Sequence, residues 1–197
     1  MMRQLVLAST SPFRRELLEK LQLPFSCCKP QTDETPTPGE SASDLVRRLA
    51  EAKARAVQAD NPNALIIGSD QVAVIDEQIL GKPGDSANAI KQLQRASGKR
   101  VRFYTGLALV DSRDDSVQVD VETFDVEFRQ LSDVEIRGYV QLEQPFNCAG
   151  SFKSEGLGIS LFNGLHGTDP NSLIGLPLIR LLAMLREKGV NPLLVGE

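Results

Sequence analysis

The sequence predicts an α/β fold: a mixed, twisted sheet with helices on both faces, arranged in two lobes. Three observations carry this prediction. Apolar runs of strand length alternate with amphipathic stretches of helical period, in the order strand–helix, helix, strand, helix, hairpin, helix, loop, helix. The opening passage from Leu5 to Leu21 reads as a buried strand joined to a helix by a tight, hydroxyl-rich turn. Residues 101 to 128 read as one long hairpin arm, expected to divide the two lobes. At 197 residues the whole chain, 1–197, is expected to form a single domain with a substantial core.

Composition narrows the function classes. A net charge of -4 and the absence of any basic run give no footprint for nucleic acid. No apolar run is long enough to cross a bilayer and no secretory leader is recognisable, so a cytoplasmic protein with no membrane partner is expected. Cys27, Cys28 and Cys148 lack zinc spacing and read as reduced thiols. With His166 the only histidine, proton transfer is expected to rest on carboxylates and lysines.

The elements follow in order. Leu5 to Ala8 is the first strand; Ser9, Thr10 and Ser11 form the turn, and Pro12 suits the first helical position. Leu17, Leu18 and Leu21 give that helix its apolar face. Arg14 and Arg15 lie in its first turn, where the macrodipole already favours an anion. Backbone amides, hydroxyls and two guanidinium groups at one point make a phosphate site a natural reading, and a capped helix with solvated arginines the plain one. A short strand, Leu23 to Cys27, leads into a Thr/Pro-rich loop that carries Asp33 and Glu34. Residues 41 to 59 form an amphipathic helix capped by Ser43, with Lys53 at the edge of its apolar stripe.

Leu65 to Ile67 is a buried strand, Gly68-Ser69 permits a close approach, and Asp70-Gln71 interrupts the apolar run before Val72 resumes it. A carboxylate in that setting is costly without a cation or metal beside it. Lys82 lies on a turn ahead of a helix from Asp85 to Ala96. Val101 to Leu109 pairs with Val117 to Phe128, and Ser132 caps a further helix. Residues 150 to 158 are glycine-punctuated and carry Lys153 and Glu155; residues 164 to 175 read as a polar loop, and 177 to 188 as the last helix.

The polar residues that break the expected patterns are Ser9, Ser11, Arg14, Arg15, Glu34, Lys53, Asp70 and Lys82. Cations, hydroxyls and carboxylates in this mixture suit a triphosphate held with a divalent metal. No serine or cysteine has a base beside it, which favours direct attack by water, with Asp70 as general base.

Ala8-Ser-x-Ser-Pro-x-Arg-Arg-Glu-Leu-Leu, Asp33-Glu34, Leu49-Ala-x-x-Lys-Ala, Ile67-Gly-x-Asp and Gly81-Lys-Pro resemble the motifs of the Maf, or septum-formation-inhibitor, family. Ala149-Gly, Glu155-Gly and Gly175-Leu-Pro follow in the same order, so the resemblance covers nearly the whole chain. It implies a fold akin to the house-cleaning inosine triphosphate pyrophosphatases and hydrolysis of nucleoside triphosphates to monophosphate and pyrophosphate. It implies a divalent cation (Mg2+, Mn2+ or Co2+) and a possible homodimer. By the same carry-over Asp70 is the proton acceptor. Ser9, Arg14, Arg15, Glu34, Lys53 and Lys82 match the family's phosphate- and metal-handling positions, with Ser11 a further candidate for binding substrate and Asp70 and Glu34 the candidate metal ligands.

Three positions depart from the commoner pattern of the dTTP/UTP-hydrolysing members: Phe13, Gln71 and Glu155 stand where those have Arg, Thr and Gln. This trio resembles the branch that hydrolyses 7-methyl-GTP. N7-methylation makes guanine cationic, and such a ring on an aromatic face such as Phe13 gains about 0.5–2 kcal/mol. Guanine's N1–H and exocyclic amine are paired donors that the Glu155 carboxylate can accept. The alternatives are a dTTP/UTP pyrophosphatase and a nucleotide-binding regulator of septum formation without turnover. Asp70 argues against the regulator, since a sensor gains little from a carboxylate facing phosphates.

Overall fold

The structure is a computed structural model and describes residues 3–194. The chain opens with β1 (Gln4–Ala8), buried from Leu5 onward, and turns directly into α1 (Pro12–Glu19). Ser11 caps α1 by accepting the Arg14 amide, and proline fills the position after it, where no helical amide is needed. β2 (Phe25–Cys28) follows, then a loop, then α2 (Ala42–Ala56). The next elements are β3 (Ala64–Ile75), β4 (Gln78–Leu80) and α3 (Ser86–Ala96). β5 (Arg100–Asp111) and β6 (Ser116–Phe128) form the long hairpin, followed by α4 (Asp133–Glu143). Two short 3-10 turns, Ala149–Ser151 and Leu157–Leu161, lead into β7 (Phe162–Gly167), α5 (Pro170–Ile174) and α6 (Leu178–Glu187).

The sheet is mixed, as expected, and runs β2-β1-β3-β5-β6-β7, with β4 pairing β3 off that path. β1 is parallel to both β2 and β3, because helical crossovers connect them; β3–β4 and β6–β7 are antiparallel. Contacts divide the chain into two compact units. The first takes the chain up to Asp70, Thr105–Glu122 and the chain from Gly175 onward; the second takes Gln71–Tyr104 and Thr123–Ile174. The hairpin supplies strand residues to both units.

In the first unit, the cluster between α2 and the sheet is built of small and β-branched side chains: Val6, Ala8, Ala50, Ala54, Ile66, Ala108 and Val110. Small residues let α2 lie very close to the strands beneath it. A Cβ on Gly68 would stand 2.0 Å from the Ala50 carbonyl oxygen, and one on Gly106 would stand 2.1 Å from that of Val46. In the second unit the core is aromatic. Phe152 meets Phe103, Phe128 and Phe162 edge-to-face at ring separations of 5.3, 5.5 and 4.8 Å, contacts worth about 0.5–1.5 kcal/mol each beyond the area they bury.

Several local expectations are corrected. Ser41, not Ser43, caps α2, and accepts the Asp44 amide. Both serines precede the same apolar stripe, so periodicity alone cannot choose between them. Asp70 and Gln71 do not interrupt their strand, since β3 runs unbroken through both. Residues 164 to 175 are not a loop but the end of β7 and the short α5. β4 has no turn signal in the sequence, because its hairpin turn is Asp76-Glu77, two residues at φ 47° and 61°, in place of the usual Asn-Gly.

Candidate active site

β1 and α1 build the first part of the site. Beyond Ala8 the chain turns sharply: the Ser9 amide donates to the Leu7 carbonyl, and Ser9 Oγ accepts the Ser11 amide at 3.1 Å. Ser9 is buried, whereas Ser11 is half-buried at the helix N-terminus. Each hydroxyl accepts an amide here, and an accepting hydroxyl still carries a proton of its own to donate.

The two neighbouring arginines part company. Arg14 reaches back to the Gly175 carbonyl, its Nε donating at 2.8 Å. Burial lowers its pKa, and the charges of Asp70 and Glu34 push the other way. Arg15 lies on the opposite course: its side chain is 65% exposed and pairs with Glu19, one turn along α1, at 3.1 Å. The cluster therefore gathers Arg14 and leaves Arg15 on the surface. Phe13, in the same helical turn, is half-buried and belongs to neither hydrophobic core described above.

The centre of the cluster is Lys53. α2 carries it on its last turns, at 7% exposure, next to the buried stripe of Leu49, Ala50 and Ala54. Its ammonium lies 2.6 Å from Asp70 Oδ1 and 2.8 Å from Glu34 Oε1. Asp70 is itself buried at 8%, so the cation expected beside a strand carboxylate is present. Glu34 comes from the exposed loop before α2 and stays exposed itself, reaching Lys53 from the solvent side. Next to Asp70, Ser69 is fully buried and its hydroxyl donates to Gly175 O at 2.9 Å. One carbonyl thus receives both Arg14 and Ser69.

Ser69 and Gly175 had no assigned role in the sequence. Gly175 adopts φ +132°, and a Cβ there would stand 3.3 Å from Arg14 Nε. Only its place ahead of Leu-Pro hinted at a constrained turn.

The remaining candidates lie in the second unit. Gln71 donates through Nε2 to the Ser172 and Leu173 carbonyls at 2.8 and 3.1 Å, which fixes its side chain to α5. Lys82 and Glu155 are exposed, and Glu155 accepts from Ser154 Oγ at 3.3 Å. Charges of Lys82, Lys153, Glu143 and Glu155 all act on Cys148, whose thiol burial pushes up.

The donor set can be tested for a divalent cation. Asp70 and Glu34 converge on one point, the Lys53 ammonium, and present hard oxygen donors. Among the described residues no group of three or more His, Cys, Asp or Glu side chains is arranged to hold a metal. Two carboxylates completed by substrate phosphates are a usual Mg2+ arrangement, so the residues fit an ion that is shared with its nucleotide.

Over 192 residues the chain is 59% identical to a 7-methyl-GTP pyrophosphatase of Colwellia psychrerythraea, covering 98% of this chain and 96% of that relative. Among solved structures, the Staphylococcus aureus Ham1 protein superposes with a TM-score of 0.54 at 15% identity, covering 95% of this chain and all of that one. At that identity the likeness shows a shared fold. Residues 4–188 match the family described as Maf-like protein, and the chain belongs to that family.

Proposed function

We propose that this protein is a nucleoside triphosphate pyrophosphatase that hydrolyses 7-methyl-GTP to 7-methyl-GMP and pyrophosphate. The 59% identity with a relative of that name, over almost the full length of both chains, carries the reading. The chemistry of the residues supports it. Asp70 is the general base: it takes a proton from the attacking water as the oxygen bonds to the α-phosphorus and the bond to the pyrophosphate oxygen breaks. Lys53 holds Asp70 and Glu34 in place at 2.6 and 2.8 Å. Arg14, Lys82 and the hydroxyls of Ser9 and Ser11 take the charge of the phosphates. Asp70 and Glu34 would hold a divalent cation, which would supply charge neutralisation at the reacting phosphate.

Recognition of the base falls to Phe13, Gln71 and Glu155. The half-buried ring of Phe13 suits a cationic purine. Glu155 supplies the acceptor pair for the guanine edge, and Gln71 follows directly on the catalytic Asp70 in the strand. Arg15, paired with Glu19 at the surface, is given a contributory role in drawing an anionic substrate. No helix among the described residues is long and apolar enough to cross a membrane. We place the enzyme in the cytoplasm, since its three free cysteines suit a reducing compartment, and the family resemblance suggests a homodimer.

The test is a nucleotide panel with pyrophosphate detection, run with and without Mg2+, Mn2+ or Co2+ and in 18O-labelled water. Pyrophosphate release with the label in 7-methyl-GMP is expected. Release of orthophosphate with a diphosphate would overturn the bond assignment, and a preference for UTP would overturn the substrate.

A further inference from the structure

We infer that Glu143, the last residue of α4, is a positioning residue that sets nucleobase preference by latching the loop that carries Glu155. The inference rests on the reading of Glu155 given above. Glu155 is exposed, and an exposed carboxylate on an unsupported loop would have to be ordered by each substrate it reads. The loop is not unsupported. On one side of Glu155, the Lys153 amide donates to Tyr139 Oη at 3.0 Å, and Lys153 Nζ donates to the Glu143 carbonyl at 2.7 Å. On the other side, the Leu157 amide donates to Glu143 Oε1 at 3.2 Å. Tyr139 and Glu143 stand one helical turn apart on α4, so both ends of the loop are tied to one rigid element.

The fit of the chain against Glu143 is close. A Cβ on Gly156 would stand 2.9 and 3.1 Å from the two Glu143 carboxylate oxygens, and one on Gly158 would stand 2.2 Å from the Lys153 carbonyl. The loop therefore packs directly on the Glu143 carboxylate, which a side chain at the residue after Glu155 would push aside. A carboxylate that must accept two parallel donors discriminates only if its own position is fixed, and a supporting contact of this kind acts on the choice of substrate.

The experiment compares wild type with Glu143→Ala, Glu143→Gln, Lys153→Met and Glu155→Gln. It reads kcat and KM for 7-methyl-GTP, GTP and UTP, and hydrogen exchange of the amides from 153 to 157. Glu143→Ala is expected to lower kcat/KM for 7-methyl-GTP about tenfold, mainly through KM, with UTP little affected and loop exchange faster. Glu143→Gln keeps an Oε1 acceptor for the Leu157 amide and is expected to restore both readouts. Lys153→Met should reproduce part of the Ala effect. An equal loss for all three nucleotides, failure of Gln to restore the preference, or faster loop exchange with unchanged preference would each overturn the inference. Failure of the underlying reading looks different: Glu155→Gln leaves the preference intact, or wild type prefers UTP. In that event the latch stands or falls on whether Glu143→Ala alters the preference that wild type has.

Discussion

The ammonium of Lys53 lies 2.6 Å from Asp70 Oδ1, joining two buried residues 17 apart in the chain. The pair links α2 to the strand that carries the proposed base, and it sets the first two predictions.

Asp70→Asn keeps the shape of the side chain but removes the proton acceptor. Turnover should fall about 10^2–10^4-fold while nucleotide binding, followed by calorimetry, persists. Near-normal turnover would remove Asp70 from the role.

Lys53→Met leaves Asp70 buried without its ammonium. Breaking one side of a buried pair costs about 3–5 kcal/mol, with the lower end expected because Arg14 lies near enough to Asp70 to feel its charge. In denaturant unfolding, Lys53→Met/Asp70→Leu should be more stable than Lys53→Met alone. Strictly additive losses would mean that the two side chains are not coupled.

The base preference is expected to depend on Phe13. Phe13→Ala should lower kcat/KM for 7-methyl-GTP more than for GTP, because an aromatic face gains from the methyl-induced charge about 0.5–2 kcal/mol, or roughly two- to thirty-fold. An equal effect on both nucleotides would show that the ring only fills space.

Acid sensitivity is expected at Asp111, at the end of β5. The Arg3 guanidinium holds its carboxyl well below the usual range against the opposing effect of burial, with help from the Arg113 amide and the Lys188 ammonium at 3.2 Å. A carboxyl depressed on folding stabilises fully above its unfolded pKa, near 4, and loses that contribution as pH falls toward the folded value. The Tm advantage of wild type over Asp111→Asn should therefore be complete at pH 7 and shrink steadily below about pH 4. A gap that does not change with pH would show that packing, rather than charge, makes the difference.

The elements written in apolar period were legible: β1, α1, α3, the hairpin and α6 lie close to where the pattern put them. What escaped was set by contacts across the chain. β7 carries polar and glycine residues, Phe162-Asn-Gly-Leu-His-Gly, and is a strand because β6 pairs with it, not because its own residues demand one. Site residues followed the same division. Lys53 and Asp70 stood out because each breaks an apolar pattern, and each needed the other. Arg14 and Arg15 are chemically alike and adjacent, so nothing local could foretell that one is held by Gly175 and the other pairs with Glu19. Ser69 was invisible, since a buried serine inside a strand carries no period and its partner lies 106 residues away.

The close approach of α2 to the sheet has a consequence for any deep mutational scan of this chain. At Gly68 and Gly106 the helix backbone occupies the volume that even a methyl group would need, 2.0 and 2.1 Å from a carbonyl oxygen. Both positions should reject every substitution as strictly as Asp70 does, although neither has a side chain to offer a substrate. Scored by activity alone, they would be counted among the catalytic residues. Scored by abundance in the cell, they would separate from them: glycine variants would disappear from the folded pool, whereas Asp70→Asn would remain in it, inactive.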